Sequence, residues 1–400
     1  MDLRSGHPFW LLKNGLLSDY PSLKHDECCE VAVIGGGITG ALVAHGLVQE
    51  GVETVLVDTR DIGAGSTAAS TALLQYEIDT ELHELIGSVG EVHAVRSYRL
   101  GLEAIDRVER LCGELGDECG FERKSSLYLA SRKSDVSKLR KECETRKAFG
   151  FHVEYLDAKK IGSRASFAAP GAILSYGNAQ VDPFRLTHRL IQAARQQGLR
   201  VYDRCKVSKV EPSGGGVVLH TKPGFLIRGR RVVFATGYES QRYLKQNVGS
   251  LKSTFALVSE PLDHFDGWPD RALIWETARP YFYLRTTPDD RAIIGGEDVP
   301  YATAHKSEQL IARKTRTLQR RFSAMFPRLD IEVSYTWAGT FGETKDGLAY
   351  IGRTREFPHA YFALGYGGNG ITFSVIAAKI ITDLHLGRPS PDADIFRFDR

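Results

Sequence analysis

One short stretch, residues 31–40 with the sequence VAVIGGGITG, constrains the fold more than any other part of the chain. Its first four residues are apolar and mostly β-branched, which is typical of a buried strand. Gly35, Gly37 and Gly40 follow with GxGxxG spacing, and residues 41–49 continue as a predicted helix. In such a strand–turn–helix unit the glycines permit a tight turn, a close approach to a pyrophosphate and close helix–strand packing. The stretch therefore predicts a dinucleotide-binding α/β unit.

The residues after this helix strengthen the prediction. Residues 54–57 have the pattern of a second strand, and Asp58 stands at its end. Asp58 follows the glycines at about the separation expected of a carboxylate that binds a ribose. The N-terminus of the helix, at Ile38 and Thr39, would present backbone N–H groups and the positive end of its dipole to the phosphates. A lone GxGxxG can be an ordinary glycine turn, but all these features in register favour a dinucleotide site.

Length and composition exclude several other classes of protein. A chain of 400 residues predicts two domains, and a formal net charge of +3 indicates neither a nucleic-acid nor a membrane partner. Six cysteines without a CxxC motif predict a reduced, cytoplasmic protein. We expect no signal peptide and no membrane span, because no apolar run approaches about 20 residues. We also find no GxSxG, P-loop or HExxH motif and no zinc-spaced set of cysteines and histidines.

Several stretches together resemble the FAD-dependent D-amino-acid oxidase/glycine oxidase superfamily. They occur in the order that the family shows and span nearly the whole chain, and the first 75 residues most resemble the γ-glutamylputrescine oxidoreductase branch. Besides residues 31–40 and Asp58, the stretches are GAGST, NAQVDPFRLTHRLIQAA, VVFATG, WAGTFGETKDGLAYIG and GYGGNGITFSVIAAKIITDL.

The resemblance implies an α/β fold with two domains. One would be a Rossmann-like FAD-binding domain of the glutathione-reductase type, and the other a substrate domain with a large mixed β-sheet. We expect the FAD-binding domain to be discontinuous, with residues 27–117, 160–245 and 338–388. The substrate domain would then contain residues 118–159 and 246–337.

The resemblance also implies which residues hold FAD. No histidine or cysteine stands at residues 66–70, where relatives attach the cofactor, so we expect FAD to be bound non-covalently. Val207, in a strand predicted at residues 201–211, would meet the adenine, and the C-terminal glycine loop would approach the flavin ring from its pyrimidine side. The expected cofactor-binding residues are Gly35, Gly37, Ile38, Thr39, Gly40, Asp58, Thr59, Arg60, Gly65, Ser66, Thr67, Val207, Ala235, Thr236, Gly237, Gly339, Gly367, Gly368, Asn369, Gly370 and Ile371.

The chain departs from the family where relatives clamp a substrate carboxylate. Glycine oxidases usually read W-A-G-L-R-P in the C-terminal strand, and here Phe341 replaces that arginine. Tyr281, Tyr283 and Arg285 alternate along a predicted strand and so share one face, although this could also be a routine strand. The expected substrate-side residues are Gln75, Tyr76, Tyr283, Arg285, Phe341 and Tyr366, with Tyr281 as a further candidate and Lys345 as a surface charge.

These features predict an enzyme that oxidises the C–N bond of an amine or amino-acid derivative, with hydride transfer to flavin N5. Its partners would be a small amine and O2 or another electron acceptor. Without the arginine clamp, glycine and D-alanine should be poor substrates, and Arg285 would be the cation able to hold a distant carboxylate. Three alternatives stay open at this point: an FAD-dependent 2-hydroxy-acid dehydrogenase, an NAD-dependent dehydrogenase, and a flavin-bearing subunit of a larger oxidoreductase complex.

Overall fold

The structure is a computed structural model that describes residues 3–301 and 308–400. The strands in these ranges are β1 (Arg4–Gly6), β2 (Glu27–Ile34), β3 (Thr54–Val57), β4 (Leu73–Leu74), β5 (Glu122–Leu129), β6 (Val153–Asp157), β7 (Gly171–Gln180), β8 (Arg200–Tyr202), β9 (Val207–Ser213), β10 (Gly216–Thr221), β11 (Leu226–Phe234), β12 (Ser250–Ser259), β13 (Leu273–Glu276), β14 (Phe282–Thr286), β15 (Ala292–Pro300), β16 (Val333–Glu343), β17 (Tyr350–Thr354) and β18 (Phe357–Leu364). The α-helices are α1 (Phe9–Asn14), α2 (Ile38–Gln49), α3 (Ser66–Ala69), α4 (Leu82–Val89), α5 (Glu91–Glu114), α6 (Val136–Ala148), α7 (Ala158–Gly162), α8 (Pro183–Gln196), α9 (Glu308–Met325) and α10 (Gly370–His385).

The predicted dinucleotide unit forms the centre of the smaller of two sheets. Its strands are ordered β17-β18-β11-β2-β3-β8, and the hairpin β9–β10 pairs with β11. Strand β2 lies parallel to both β3 and β11, with Val33 opposite Leu56 and Val233. Residues 31–34 are buried, as expected of a parallel strand that is covered on both faces. The strand–glycine–helix–strand prediction is confirmed.

The larger sheet is mixed and shares no strand with the smaller one. Its strands are ordered β1-β16-β12-β15-β14-β13-β5-β7-β4, and β6 pairs with β7. Strand β13 is parallel to β5, whereas its other neighbour, β14, is antiparallel. The predicted α/β fold with a large mixed sheet is confirmed.

Three strands join a different sheet from the one that the expected domain boundaries imply. Strand β4 and strand β7 pair with each other, and β7 also pairs with β5, while β16 pairs with β1 and β12. All of these pairings are in the larger sheet, although residues 73–74, 171–180 and 338–343 were assigned to the FAD-binding domain. A strand pattern shows that a strand exists but not which sheet it joins. We propose that the substrate domain includes these strands.

The strand predicted at residues 201–211 is interrupted. It divides into β8, which lies parallel to β3, and β9, which begins the hairpin with β10. Between them Arg204 adopts a left-handed φ of 51°, and the Cys205 N–H donates to the carbonyl oxygen of Asp58 at 2.7 Å. The break therefore brings the chain across the end of β3 and places Val207 beside Asp58.

Candidate active site

One cavity of about 280 Å³ lies where the ends of the parallel strands of the smaller sheet meet the larger sheet. This is the edge at which open α/β sheets bind ligands. Of the predicted site residues, Gly40, Tyr76 and Arg285 do not line the cavity. Those that do are Gly35, Gly37, Ile38, Thr39, Asp58, Thr59, Arg60, Gly65, Ser66, Thr67, Gln75, Val207, Ala235, Thr236, Gly237, Tyr283, Gly339, Phe341, Tyr366, Gly367, Gly368, Asn369, Gly370 and Ile371.

The three glycines of the fingerprint meet different constraints. Gly35 has a φ of +112°, and a Cβ there would lie 2.3 Å from the carbonyl oxygen of Ala235. A Cβ on Gly40 would lie 1.7 Å from the carbonyl oxygen of Gly35, so a glycine here allows α2 to pack closely against the turn. Gly40 itself does not line the cavity. Gly37 faces the cavity, and its Cβ would lie 2.9 Å from the hydroxyl oxygen of Thr67. The absence of a side chain at Gly37 thus leaves room for a ligand close to the backbone.

Asp58 is fixed at the end of β3 by the backbone. Its Oδ2 accepts the Gly36 N–H at 2.6 Å, and its Oδ1 accepts the Arg60 N–H at 2.7 Å. Burial raises the pKa of Asp58, and the two backbone N–H groups oppose this rise. A carboxylate has about four acceptor positions, so the side chain can still accept hydroxyl groups from a ligand.

Thr67 and Ser374 complete the start of α2. The Ile38 N–H donates to the hydroxyl of Thr67 at 2.9 Å. We expected this N–H to face the phosphates, but the Thr67 hydroxyl already accepts it. The hydroxyls of Thr39 and Ser374 are hydrogen-bonded at 2.7 Å and join the first turns of α2 and α10. Two helix N-termini therefore open onto one cavity, which creates a positive potential there.

The C-terminal glycine loop holds the chain segment that crosses the cavity. The Asn369 Nδ2 donates to the carbonyl oxygens of Gln75 and Glu77 at 3.1 and 2.8 Å. The Gly368 N–H donates to Asp79 Oδ2 at 2.8 Å. Residues 75–79 are consequently bound to the start of α10.

Alternation along this segment decides which of its side chains face the cavity. Gln75, Glu77 and Asp79 line it, whereas Tyr76 points the other way and stacks on Phe151 with ring centroids 5.6 Å apart. The prediction that Tyr76 faces the cavity is therefore wrong, because its ring packs against Phe151 and does not line the cavity. Glu77 and Asp79 were missed, although the same two-residue period starting at Gln75 would have found them.

Strand β14 presents an aromatic wall. Tyr281 and Tyr283 both line the cavity, as their shared face predicts. The Tyr281 hydroxyl donates to Asp79 Oδ1 at 3.3 Å. Tyr283 lies across Gly295 of β15, where a Cβ would come within 2.2 Å of its ring. Burial raises the pKa of Tyr283 to about 12, so both phenols are neutral at physiological pH.

Arg285 is on the same strand but serves a structural purpose. Its guanidinium is fully buried and donates from Nη1 to the carbonyl oxygens of Ala72 and Val181, at 2.8 and 3.0 Å. Its Nε donates to the carbonyl oxygen of Thr286 at 3.0 Å. Burial lowers the pKa of Arg285 to about 9. Its Nη2 is buried without a hydrogen-bond partner in the described chain. The expectation that it faces the substrate is wrong, because its Nε and Nη1 are bound to backbone carbonyls and the side chain does not line the cavity.

Phe341 and Asp298 occupy the remaining wall of the cavity. Phe341 lines it from β16, so an apolar ring stands where relatives were expected to carry an arginine. Asp298, at the end of β15, was missed by sequence reasoning; its Oδ1 is buried without a hydrogen-bond partner. Burial raises its pKa to about 6. Tyr238 was also missed, and Lys345 is exposed as expected.

A family model described as DAO, FAD dependent oxidoreductase, matches residues 30–384. The chain belongs to this family of FAD-dependent oxidoreductases. Glycine oxidase of Bacillus subtilis is 26% identical over 93% of the chain and 97% of that protein. Gamma-glutamylputrescine oxidoreductase of Escherichia coli is 24% identical over 95% of the chain and 87% of that protein. The crystal structure of glycine oxidase from Geobacillus kaustophilus superposes with a TM-score of 0.79 at 20% identity, covering 91% of the chain and 96% of that structure.

The family and its cofactor, FAD, agree with the resemblance seen in the sequence. The cavity fits this cofactor, because its Asp58 end offers a carboxylate beside a glycine turn and its other end a second helix N-terminus. In the part of the chain that the structure describes, we find no helix with the length and apolarity needed to cross a membrane.

Proposed function

We propose that this FAD-dependent oxidoreductase oxidises the C–N bond of a small amine or amino-acid derivative. The observation that carries the proposal is the meeting of an aromatic wall, Tyr281, Tyr283 and Phe341, with the glycine loop of α10 in one cavity. Relatives that act on such compounds, by name glycine oxidase and gamma-glutamylputrescine oxidoreductase, support it. The substrate would lie between this wall and the loop.

The cofactor would extend from Asp58 to the glycine loop. Asp58 and Val207 would hold the adenosine, and the start of α2 with Ser66 and Thr67 would hold the pyrophosphate. Residues 367–371 would border the flavin ring. We propose that the binding is non-covalent, because neither a histidine nor a cysteine occurs in residues 66–70. Bound FAD supplies the acceptor for the two electrons that leave the substrate.

The chain itself would bind, orient and desolvate the amine. In this two-electron oxidation the substrate would lose one hydrogen from carbon and one from nitrogen as a C=N bond forms, with bound FAD as the oxidant. The apolar ring of Phe341 would exclude water from the reacting nitrogen, and this desolvation disfavours its charged form. A neutral amine needs no strong base, which agrees with neutral tyrosines at the wall. The N–H groups and dipole at the start of α10 stabilise negative charge beside them. The released imine then hydrolyses in water.

The cavity disfavours oxidation of a 2-hydroxy acid. Such a substrate needs a cation for its carboxylate. Among the described residues, the lysine and arginine side chains that line the cavity are Arg60 and Arg242, and both belong to the Asp58 end, near Glu239. Within residues 3–301 and 308–400, no lysine or arginine side chain lines the opposite end. We propose O2 or another electron acceptor for reoxidation, and a cytoplasmic location because all six cysteines are unpaired.

Anaerobic flavin reduction tests the function directly. Purified holoenzyme is mixed with a panel of primary amines, secondary amines, amino acids and 2-hydroxy acids, and the loss of flavin absorbance is followed. We expect reduction by one or more amines and none by hydroxy acids. Acid precipitation should release all the yellow colour as FAD. Reduction by hydroxy acids alone would refute the proposal, and colour that remains in the pellet would refute non-covalent binding.

A further inference from the structure

From the charges that face the cavity we infer that its substrate half selects an amine with a second positive charge, such as an α,ω-diamine, held by Asp79 and Asp298. The inference rests on the proposed function for the chemistry at the other nitrogen. It names a substrate class by its charge. Two carboxylates that line one cavity beside Tyr281 and Tyr283 carry it.

Asp79 and Asp298 are the carboxylates of this half that have no cation bound to them. In residues 3–301 and 308–400, neither lies within ion-pair distance of a lysine or arginine. The Asp298 Oδ1 is buried and accepts no hydrogen bond. Asp79 accepts from the Gly368 N–H and the Tyr281 hydroxyl, which leaves acceptor positions on both of its oxygens. A buried acceptor without a donor is costly, so a ligand that donates there is favoured.

Two other carboxylates near this half lie within ion-pair distance of a cation. Glu77 Oε1 lies 3.6 Å from Arg146 Nη1, and both side chains are fully buried. Glu343 Oε2 forms an ion pair of 2.6 Å with Lys252. Arg146 is also paired with Glu142 through its Nε at 2.6 Å, and Lys252 lowers the pKa of Asp298 against the larger effect of burial. Neither cation lines the cavity, so Asp79 and Asp298 remain the lining carboxylates of this half without an ion pair in the described part of the chain.

Arg279 is the cation whose charge acts on Asp79 from outside the cavity. It is exposed, and its guanidinium stacks 3.3 Å from the centroid of the Tyr281 ring. Its charge lowers the pKa of Asp79, against the larger effect of burial, which raises it. Because Arg279 lies behind the Tyr281 ring and does not line the cavity, it does not provide a carboxylate site inside.

The position of Asp79 fits recognition of a cation beside the reacting nitrogen. A Cβ on Gly368 would lie 3.1 Å from Asp79 Oδ1, so the glycine at this position makes room for the carboxylate against the loop. Tyr281 and Tyr283 add two ring faces, which attract ammonium groups. A substrate carboxylate here would meet like charges, whereas an ammonium would replace its water shell with carboxylates and aromatic rings.

Three compounds of similar length and different end groups test the inference: 1,4-diaminobutane, butylamine and 4-aminobutyrate. Their dissociation constants for the holoenzyme are measured by calorimetry at fixed ionic strength, and their rates of anaerobic flavin reduction separately. We expect the diamine to bind at least tenfold more tightly than butylamine, and 4-aminobutyrate to bind most weakly. Equal binding of the two amines, or tighter binding of 4-aminobutyrate, would overturn the inference.

Variants assign the preference to residues. Asp79→Asn and Asp298→Asn should each reduce the preference for the diamine at least fivefold. Asp330→Asn, which removes an exposed carboxylate that does not line the cavity, should leave it within twofold. If Asp79→Asn disturbs the glycine loop, Asp298→Asn still tests whether the carboxylates select the diamine, because no hydrogen bond joins Asp298 to that loop in the described chain. An unchanged preference in Asp298→Asn would overturn the inference.

The two readouts separate this inference from the proposed function. Selective binding of the diamine without flavin reduction by any amine would refute the proposed function and support the cation site. Flavin reduction by amines without any preference for the diamine would support the proposed function and overturn the cation site.

Discussion

Replacing Arg285 by alanine should destabilise the fold rather than alter the choice of substrate. The guanidinium makes four hydrogen bonds to backbone carbonyls, those of Thr71, Ala72, Val181 and Thr286, over 2.8–3.2 Å. Each bond from a charged donor contributes about 1.5–3 kcal/mol. Burying the charge costs several kcal/mol in return, so the expected net loss in the free energy of unfolding is about 3–5 kcal/mol.

The loss arises because alanine leaves four carbonyl groups without their donor and a cavity beside Trp10, over which the guanidinium stacks at 5.4 Å. Arg285→Met is an informative companion, because it restores most of the volume but none of the hydrogen bonds. It should recover only the packing part of the loss.

Urea unfolding of the holoenzyme, followed by circular dichroism and flavin fluorescence, measures the effect. Arg279→Ala is the matched control, since it removes an exposed arginine from the neighbouring segment and should change the unfolding midpoint little. Arg285→Ala should keep the order of preference among amines in whatever fraction folds. An unchanged midpoint, together with a selective loss of activity on carboxylate-bearing substrates, would show that the guanidinium faces the substrate and would refute the reasoning.

Three further substitutions test other parts of the cavity. Gly37→Ala places a Cβ 2.9 Å from the Thr67 hydroxyl and should lower the affinity for FAD at least tenfold, as measured by fluorescence titration. The control is Gly87→Ala, whose Cβ would have no atom within 4 Å, and it should leave the affinity unchanged. Asp298→Asn should be more stable than the parent by up to about 3 kcal/mol at pH 7. The reason is that burial raises the pKa of Asp298 in the folded state from 3.8 to about 6. The parent therefore loses stability relative to the variant as the pH rises from about 4 to 6. Equal stability of the two proteins at pH 7 would contradict this. Phe341→Arg brings a cation into the cavity and should raise kcat/KM for glycine at least tenfold, and no gain would show that Phe341 is not at the substrate.

Much of the cofactor end could be predicted because its constraints are local. The turn at Gly35, the packing of Gly40 and the acid at the end of β3 all follow from a few consecutive residues. Asp182 likewise caps α8, accepting the N–H groups of Phe184 and Arg185. Such features depend on backbone conformation within one turn, which the sequence encodes directly.

The substrate end could be predicted only in part, because its geometry depends on how distant segments meet. The period of two along β14 correctly placed Tyr281 and Tyr283 together, but it could not show that the cavity ends before Arg285. Arg285 is bound instead to the carbonyl oxygens of Ala72 and Val181, which lie far from it in sequence. Asp298 was missed for the same reason, since only the pairing of β15 with β12 and β14 brings it to the cavity.

Residues 71–79 connect the two ends physically, and this explains why structural and substrate-facing residues alternate there. The carbonyl oxygens of Thr71 and Ala72 bind Arg285 from the larger sheet, and those of Gln75 and Glu77 bind Asn369 at the start of α10. The backbone of the segment is thus held by one side chain of the larger sheet and by one at the start of α10, while the side chains of Gln75, Glu77 and Asp79 line the cavity. Asp79 is the last of these and is itself bound by Gly368. Its carboxylate accepts the Gly368 N–H at 2.8 Å, so a displacement of the glycine loop at residues 367–371 would also displace this carboxylate in the cavity.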